Sequence, residues 1–378
     1  MGNFLKELFI DEVKGCLISD VEGYDTNGDG VIDNAAQLGG IDASKYALKT
    51  DIRSPIVKDD GDGNVSILLP SPYLSFLGNE DFTLKTYNTT KNWDGTLEYS
   101  TDASTWNTWN GTEISSAGSK LYLRGTGNTK ITGGDSPNYR FVFTGTTALK
   151  IACDGNIENL LDYETVSSGG HPTMAVNCYR FIFHGCKSLT TAPELPATKL
   201  TNDCYNSMFW DCTSLTTAPE LPATTLADSC YYYMFKGCTS LTTAPALPAT
   251  KLTNMCYYNM FYGCTSLTTA PALPATTLAD YCYAGIFQNC KALTMAPELP
   301  VTKLINGCYN GMFLGCINIK LSTTQTGEYQ TAYRIPKSGT GTDAPNALGN
   351  MFVSTGGTFK DTPSINTTYY LSTSNTVV

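Results

Sequence analysis

The amino-acid sequence predicts a mixed α/β, β-rich fold with an N-terminal segment, a small antiparallel β-sandwich and a solenoid of 26-residue units. Three observations lead to this prediction. Cysteines recur at a fixed period through the second half of the chain. The stretch before them alternates aromatic and β-branched residues with turn residues. Only 15% of the 378 residues are charged, while threonine, serine, asparagine and glycine are abundant, a composition that suits β-rich and solenoid proteins.

The cysteine repeat predicts the solenoid. In the unit Cys212–Gly237, apolar residues four positions apart from Leu226 to Cys238 predict a short helix with one apolar face. Pro219 and Pro222 predict an extended segment before it. Neither piece can bury its apolar face alone, so the units are expected to stack. The cysteines stand alternately 8 and 18 residues apart, at Cys178, Cys186, Cys204, Cys212, Cys230, Cys238, Cys256, Cys264, Cys282, Cys290, Cys308 and Cys316.

The unit resembles the BspA-like (Treponema-type) leucine-rich repeat found in surface proteins of gut Bacteroidota. One phenylalanine per unit is followed after two residues by cysteine, and a leucine follows in most units. The matching residues are Phe183, Phe209, Phe235, Phe261, Phe287, Phe313, Leu189, Leu215, Leu241, Leu267 and Leu293. The unit is longer than is usual for that family. The resemblance implies a leucine-rich-repeat solenoid.

Changes of pattern along the chain divide it into four predicted regions. Residues 1–55 form the N-terminal region, 56–138 the β-sandwich, 139–320 the solenoid and 321–378 a C-terminal cap. Within the second region, Leu97–Gly125 has aromatic and β-branched residues between glycine, asparagine and serine turns, which predicts several antiparallel strands.

The periodic cysteines could bind zinc, form disulfides or pack as free thiols. Zinc sites use cysteines two to four residues apart or paired with histidine, and neither spacing occurs. Disulfides require an oxidising compartment. We expect no secretory signal, because Met1–Leu17 has no basic start, no continuous apolar stretch and no small-residue cleavage site. The sequence therefore predicts columns of buried, reduced thiols.

No catalytic residues are expected, and the chain is predicted not to be an enzyme. The two histidines, His171 and His184, have no serine or cysteine arranged beside them for nucleophilic catalysis. Glu194 and Glu220 occupy equivalent places in adjacent units, near the separation of a retaining glycosidase pair. The next equivalent residue is Ala246, so a row of solvated carboxylates is the preferred interpretation.

The net charge of the chain and the length of its apolar runs restrict which partners it can bind. The chain has 24 Lys and Arg against 34 Asp and Glu, a formal charge of −10, which argues against binding nucleic acid. It contains no run of 18 apolar residues, so no membrane insertion is expected.

Aromatic residues fall into a periodic and an irregular set. We expect the periodic tyrosines to pack between units; an outward strip for carbohydrate or protein contact is the alternative. These are Tyr179, Tyr205, Tyr231, Tyr257, Tyr283 and Tyr309. The irregular set varies between units, as a ligand-facing surface does. It comprises Trp210, Tyr232, Tyr233, Tyr258 and Tyr262, which are the predicted ligand-binding residues.

An incomplete EF-hand-type motif near the N-terminus suggests a calcium-binding site. Asp25, Asn27, Asp29 and Asp33 occupy positions 1, 3, 5 and 9 of an EF-hand-type loop, but position 12 is Ala36 instead of a bidentate glutamate. Any calcium would therefore bind weakly, and no other cofactor is expected. The alternative is an Asn-Gly/Asp-Gly turn.

The following stretch, LGGIDASKYAL (Leu38–Leu48), resembles a short motif near the virion-attached N-terminus of tailed-bacteriophage fibre proteins. The matching residues are Leu38, Gly40, Ala43, Ser44, Tyr46 and Ala47. An apolar helical stripe precedes it, formed by Phe4, Leu5, Leu8, Phe9, Val13, Cys16 and Leu17.

This resemblance implies an N-terminal anchor on capsid or tail proteins and a homotrimer. It also implies a virion location after assembly in the bacterial host cytoplasm. A head fibre is preferred to a tail fibre because the sequence shows no elongated shaft. The repeat surface would then bind a host surface protein or glycan. The alternative is a bacterial BspA-like surface adhesin.

Overall fold

The computed structural model describes residues 73–372 with gaps at 133 and 135–136, together with the backbone of two earlier strands. Those strands, β1 (Ile56–Asp59) and β2 (Val65–Leu68), pair antiparallel in a separate unit. The predicted anchor and calcium residues lie outside the described residues: Phe4, Leu5, Leu8, Phe9, Val13, Asp25, Asn27, Asp29, Asp33, Leu38, Gly40, Ala43 and Tyr46. With 4% helix and 22% strand, the predicted β-rich class is confirmed.

Two sheets make up the first part of the larger unit. The six-stranded sheet has the order β11-β10-β3-β8-β5-β6 and is antiparallel except for the pair β10 and β11. Its strands are β3 (Leu74–Gly78), β5 (Thr96–Ser100), β6 (Asn107–Trp109), β8 (Lys120–Thr126), β10 (Ile151–Asp154) and β11 (Leu189–Thr191). The antiparallel three-stranded sheet has the order β7-β4-β9, formed by β7 (Ile114–Ser115), β4 (Thr83–Thr86) and β9 (Phe141–Thr144).

The two sheets pack through aromatic rings. In β8, alternate residues such as Leu121 and Leu123 are buried, as a strand with one face on a core requires. Phe76 of the larger sheet lies 5.1 Å from Phe143 of the smaller one, measured between ring centroids. A 3-10 helix, Pro137–Tyr139, precedes β9, and the helix α1 (Asn159–Ser167) follows β10.

Each later unit contains a turn segment, defined here as the residues from its first to its second cysteine, and the predicted short helix is wrong. Cys230 and Met234 donate their N–H groups to carbonyls three residues earlier, whereas an α-helix uses carbonyls four residues earlier. The φ angle is positive at every fourth residue, as at Ser229 (56°), Tyr233 (55°) and Gly237 (73°). The four-residue apolar spacing is therefore the period of overlapping β-turns.

Alternate backbone N–H groups join each unit to the next. Tyr231 donates to the carbonyl of Cys256 at 3.0 Å, and Phe235 donates to that of Met260 at 2.9 Å. The same pattern repeats at equivalent positions of the other units, always from one unit toward the following one. Between the turn segments, the hydrogen bonds that join consecutive 26-residue units therefore all run in one direction. Threonines outside these segments donate the other way, as Thr242 does to the Thr216 carbonyl at 3.4 Å.

Two inner columns of aromatic rings run through these stacked units. The periodic tyrosines are at most 1% exposed and stack at centroid distances of 5.5–6.0 Å. The phenylalanines from Phe183 to Phe313 are fully buried and stack at 5.5–5.9 Å. The tyrosines thus pack between units, as expected.

The cysteines accompany these columns. All thirteen within the described part of the chain are free and buried, so the prediction of buried free thiols is confirmed there; Cys16 lies outside it. From the second unit on, the second cysteine of each unit donates its thiol to the carbonyl of the phenylalanine in the preceding turn segment, as Cys238 does to Phe209 at 3.1 Å. Cys186 of the first unit donates instead to Phe141 of β9. A small side chain with a weak donor fits this position, because it fills little volume and satisfies a buried oxygen.

The last turns lead into a sheet. Positive φ angles recur at Asn346, Asn350 and Ser354, and Phe352 stacks on Phe313 at 5.4 Å. The strands β12 (Lys320–Ser322), β13 (Tyr329–Arg334), β14 (Gly356–Gly357) and β15 (Thr368–Ser372) form a sheet with the order β13-β15-β12-β14.

Candidate ligand-binding surface

The turn segments place the irregular aromatic residues on one side of the stacked units. Within a segment, residues such as Tyr231 and Phe235 turn inward, and the residues beside them stay half-buried. Trp210 and Tyr262 occupy equivalent positions two units apart, and Tyr232 and Tyr258 are equivalent in adjacent units. The fold therefore brings residues from three consecutive units together.

Ring contacts connect four of the five predicted ligand-binding residues directly. Tyr232 and Tyr258 stack at 4.9 Å with an interplanar angle of 6°. Tyr233 lies 4.3 Å from Tyr232, 5.8 Å from Tyr258 and 5.5 Å from Trp210. Their half-buried rings form a continuous apolar area with hydroxyl groups at its edge, which suits contact with a sugar face or a protein surface.

A lysine joins the fifth residue to this area. The Nζ of Lys236 lies 4.1 Å from the ring centroid of Trp210, 4.5 Å from that of Tyr233 and 5.2 Å from that of Tyr262. These are cation–π distances. Burial lowers the pKa of Lys236, and Asp211 partly opposes this effect. We call Trp210, Tyr232, Tyr233, Lys236, Tyr258 and Tyr262 the aromatic surface.

Sequence reasoning missed Lys236. It occupies the same position in its unit as Trp210 and Tyr262 do in theirs, so the alignment of the units could have identified it. His184 belongs to the same series one unit earlier. His184 is half-buried, and its ring lies 4.9 Å from Trp210 and 5.7 Å from Phe181.

The surroundings of His184 favour its neutral imidazole form. Burial lowers its pKa, and the nearby Arg140 guanidinium lowers it further. Its Nδ1 atom is buried and has no hydrogen-bond partner in the described structure. A neutral ring nitrogen of this kind can donate or accept one hydrogen bond.

The other histidine has a structural partner. The Nδ1 atom of His171 lies 2.7 Å from the Oε2 atom of Glu158, whose side chain is 1% exposed. Burial raises the pKa of Glu158, and the hydrogen bond and charge of His171 oppose that shift. This pair lies beside α1 and not on the aromatic surface.

Two classes of feature are absent from the described residues. No group of three or more His, Cys, Asp or Glu side chains is placed to hold a metal ion in residues 73–372 outside the gaps. Within the same part of the chain, none of the helices has the length and apolar character needed to cross a bilayer.

Comparison of the chain with family models, curated proteins and solved structures gives no match.

Proposed function

We propose that this chain is a structural appendage of a tailed bacteriophage, preferably a head fibre and otherwise a tail fibre. Its N-terminal region would attach to capsid or tail proteins. Its stacked units would form a BspA-like leucine-rich-repeat solenoid, and the aromatic surface would bind a host surface protein or glycan. The protein would be a homotrimer located on the virion, with no catalytic role.

The aromatic surface carries the adhesive part of the proposal. Tyr233 holds a bulky ring at a φ of 55°, a conformation that most side chains disfavour by roughly 1–2 kcal/mol. Equivalent residues in the neighbouring units are Ser207 and Asn259, and Asn259 is of a type that tolerates this conformation. A positive φ angle recurs at this position in every unit, including Phe181 in the first, so the support comes from the half-buried ring of Tyr233 and its contacts with Trp210 and Tyr232.

Two further observations support the phage origin and the attachment to the virion. The buried free thiols suit a protein that folds in a reducing cytoplasm, as a phage component does. The resemblance of Leu38–Leu48 to fibre proteins supports virion attachment. A bacterial adhesin with the same repeats would share the aromatic surface but would be exported.

Immuno-electron microscopy tests the location. Antibodies against residues 139–320 should label purified virions at a regular position, and deletion of residues 1–55 should remove the label. Labelling of the bacterial envelope without virions would favour the adhesin instead. Virions that incorporate the truncated protein normally would contradict the anchor.

Adsorption assays test the surface. The double variant Trp210→Ala/Tyr262→Ala should lose most binding to host cells, because each ring supplies contact area at low entropic cost. Gln288→Ala is the matched control, since Gln288 occupies the equivalent position one unit after Tyr262 and is also half-buried. Unchanged adsorption of the double variant, with the fold intact, would refute the role of this surface.

A further inference from the structure

A groove of about 580 Å³ lies beside the aromatic surface, between strand β9 and the first two stacked units. Side chains that line it include Tyr87, Arg140, Lys150, His184 and Lys187. Both of its walls belong to the unit that begins at Ser71. The groove is therefore formed where the sheets meet the repeats.

The charge of this groove is opposite to that of the chain. Three basic residues and no Asp or Glu line it, although the formal charge of the chain is −10. Two carboxylates lie nearby: Glu80 accepts hydrogen bonds from the backbone N–H and the hydroxyl of Thr146, and Asp211 raises the pKa of His184 against the larger lowering effect of burial. A local excess of positive charge on an acidic protein attracts an anionic ligand.

The basic side chains are held in place by neutral groups. The Cζ atom of Arg140 lies 3.9 Å from the Tyr87 ring centroid, and its Nη1 atom donates to the carbonyl of Pro137 at 2.8 Å. The Nζ atom of Lys150 donates to the hydroxyl of Ser214 at 2.8 Å. None of these contacts of Arg140 and Lys150 is with a carboxylate. A guanidinium fixed on a ring is pre-organised to bind a carboxylate through two hydrogen bonds.

His184 joins the groove to the aromatic surface. It lines the groove, and its ring contacts Trp210 at 4.9 Å. Its Nδ1 atom is buried, so His184 contributes to this junction through its ring contacts. A ligand that covers both areas needs apolar faces for the rings, hydroxyl groups for the edges and a negative charge for the groove. A chain of acidic sugars has all three.

We infer that this groove binds the carboxylates of an acidic polysaccharide, such as a uronic-acid chain, while the neighbouring sugar rings stack on the aromatic surface. This inference rests on the proposed host-binding function and specifies its ligand class. Arg140 and Lys187 would bind the carboxylates, and Trp210 would contact an adjoining sugar face.

The test measures binding of two oligosaccharides to the full-length protein by calorimetry. A galacturonic-acid hexamer is compared with a neutral glucose hexamer. The acidic hexamer should bind more tightly, and its affinity should fall as salt is added, because exposed charges are screened. Lys187→Gln and Arg140→Gln should each weaken it about tenfold, the loss of one charge-assisted contact.

Lys291→Gln is the matched control. Lys291 follows the second cysteine of its unit, as Lys187 does, but lies four units away from the groove. It should leave affinity within about twofold of the unchanged protein, since an exposed charge at that distance is screened. Thermal unfolding of each variant establishes that the fold is retained.

The inference is overturned if the acidic hexamer does not bind, if the neutral hexamer binds equally well, or if Lys187→Gln and Arg140→Gln have no greater effect than Lys291→Gln. Failure here with virion labelling intact would leave the proposed function standing. Selective binding of the acidic hexamer by a protein absent from virions would remove the virion role and retain the groove.

Discussion

The inner columns and the aromatic surface are built from the same turn segments, yet they use aromatic residues in opposite ways. In the inner columns, Tyr231 and Phe235 repeat in every unit, are buried and stack nearly parallel on their equivalents, at angles of 3–16°. On the aromatic surface, Trp210 and Tyr233 lack such regular repetition, are half-buried and meet at a tilted angle, and only Tyr232 and Tyr258 among its rings stack nearly parallel, at 6°. Regular repetition therefore identifies packing, and departure from it identifies accessible surface.

Alkaline pH should affect the inner columns most. Burial raises the pKa of the periodic thiols, for example to about 11 for Cys308 and about 12 for Cys204, from the ordinary value of 9.0. The stabilisation is complete below pH 9 and is lost as the pH rises above it, because only the unfolded chain then releases these protons. Each thiol that only the unfolded chain can deprotonate lowers the free energy of unfolding by up to about 1.4 kcal/mol per pH unit above pH 9.

Urea unfolding in the presence of a reducing agent, at about pH 8, 9 and 10, measures this loss. The midpoint should fall steeply above pH 9, with thiolate absorbance appearing in the same transition. The aromatic surface has no comparable set of thiols, so its variants should show the same pH dependence as the unchanged protein. A constant midpoint from pH 8 to pH 10 would contradict the burial of the thiols.

Truncation of an inner ring should have the next largest effect. Phe235→Ala removes a fully buried ring between Phe209 and Phe261 and should destabilise the fold by about 3–5 kcal/mol through lost burial and a cavity. Tyr262→Ala on the aromatic surface should cost less than about 1 kcal/mol, because its ring is half-exposed. Denaturant midpoints compare the two, and equal losses would refute the distinction between inner and outer rings.

Serine substitution should separate the two cysteine positions. In Cys238→Ser the hydroxyl can donate to the Phe209 carbonyl that the thiol now contacts at 3.1 Å. No hydrogen bond from the Cys230 thiol to a carbonyl occurs among the described contacts, so Cys230→Ser buries a hydroxyl without a matching acceptor. We expect Cys230→Ser to be the more destabilising by about 1–2 kcal/mol. The same unfolding assay measures this difference, and the reverse order would contradict the assigned thiol contacts.

The smallest effect on stability is expected at Tyr233. Tyr233→Asn places at this position the residue that the next unit has as Asn259, and asparagine tolerates the positive φ angle. The relieved strain should offset the lost ring contacts, so stability should change by less than about 1 kcal/mol while host-cell adsorption decreases. A large loss of stability would mean that Tyr233 serves packing rather than binding.

The sequence was informative where a residue's surroundings repeat. The period of 26 residues correctly indicated buried thiols and inward tyrosines, because stacked units place equivalent residues next to one another. It could not distinguish a helix from overlapping turns between Leu226 and Cys238. Both conformations bring residues four apart to one face, and only the positive φ angles separate them. Gly237 partly indicated a turn, because glycine readily adopts the positive φ angle found there.

The groove could not be predicted from the sequence, for a different reason. Arg140 and Lys187 stand far apart in the chain and meet only because β9 packs beside the first unit. The position of Lys236 between three rings, in contrast, was available from the alignment of units. Periodicity reveals contacts within the stack, whereas contacts between the sheets and the stack have no repeating signal.

The single direction of the hydrogen bonds between turn segments gives this side of the stack two chemically different ends. The first unit presents carbonyls, which the sheets satisfy, since Phe141 donates to Ile182 at 2.7 Å. The last turns present N–H groups, which a terminal loop satisfies; Asn350 donates to the Thr362 hydroxyl at 2.8 Å. Whole units inserted between these ends would find the same partners on both sides. The length of the molecule, and hence how far its exposed rings extend, could therefore grow in steps of one repeat without redesign of either terminus.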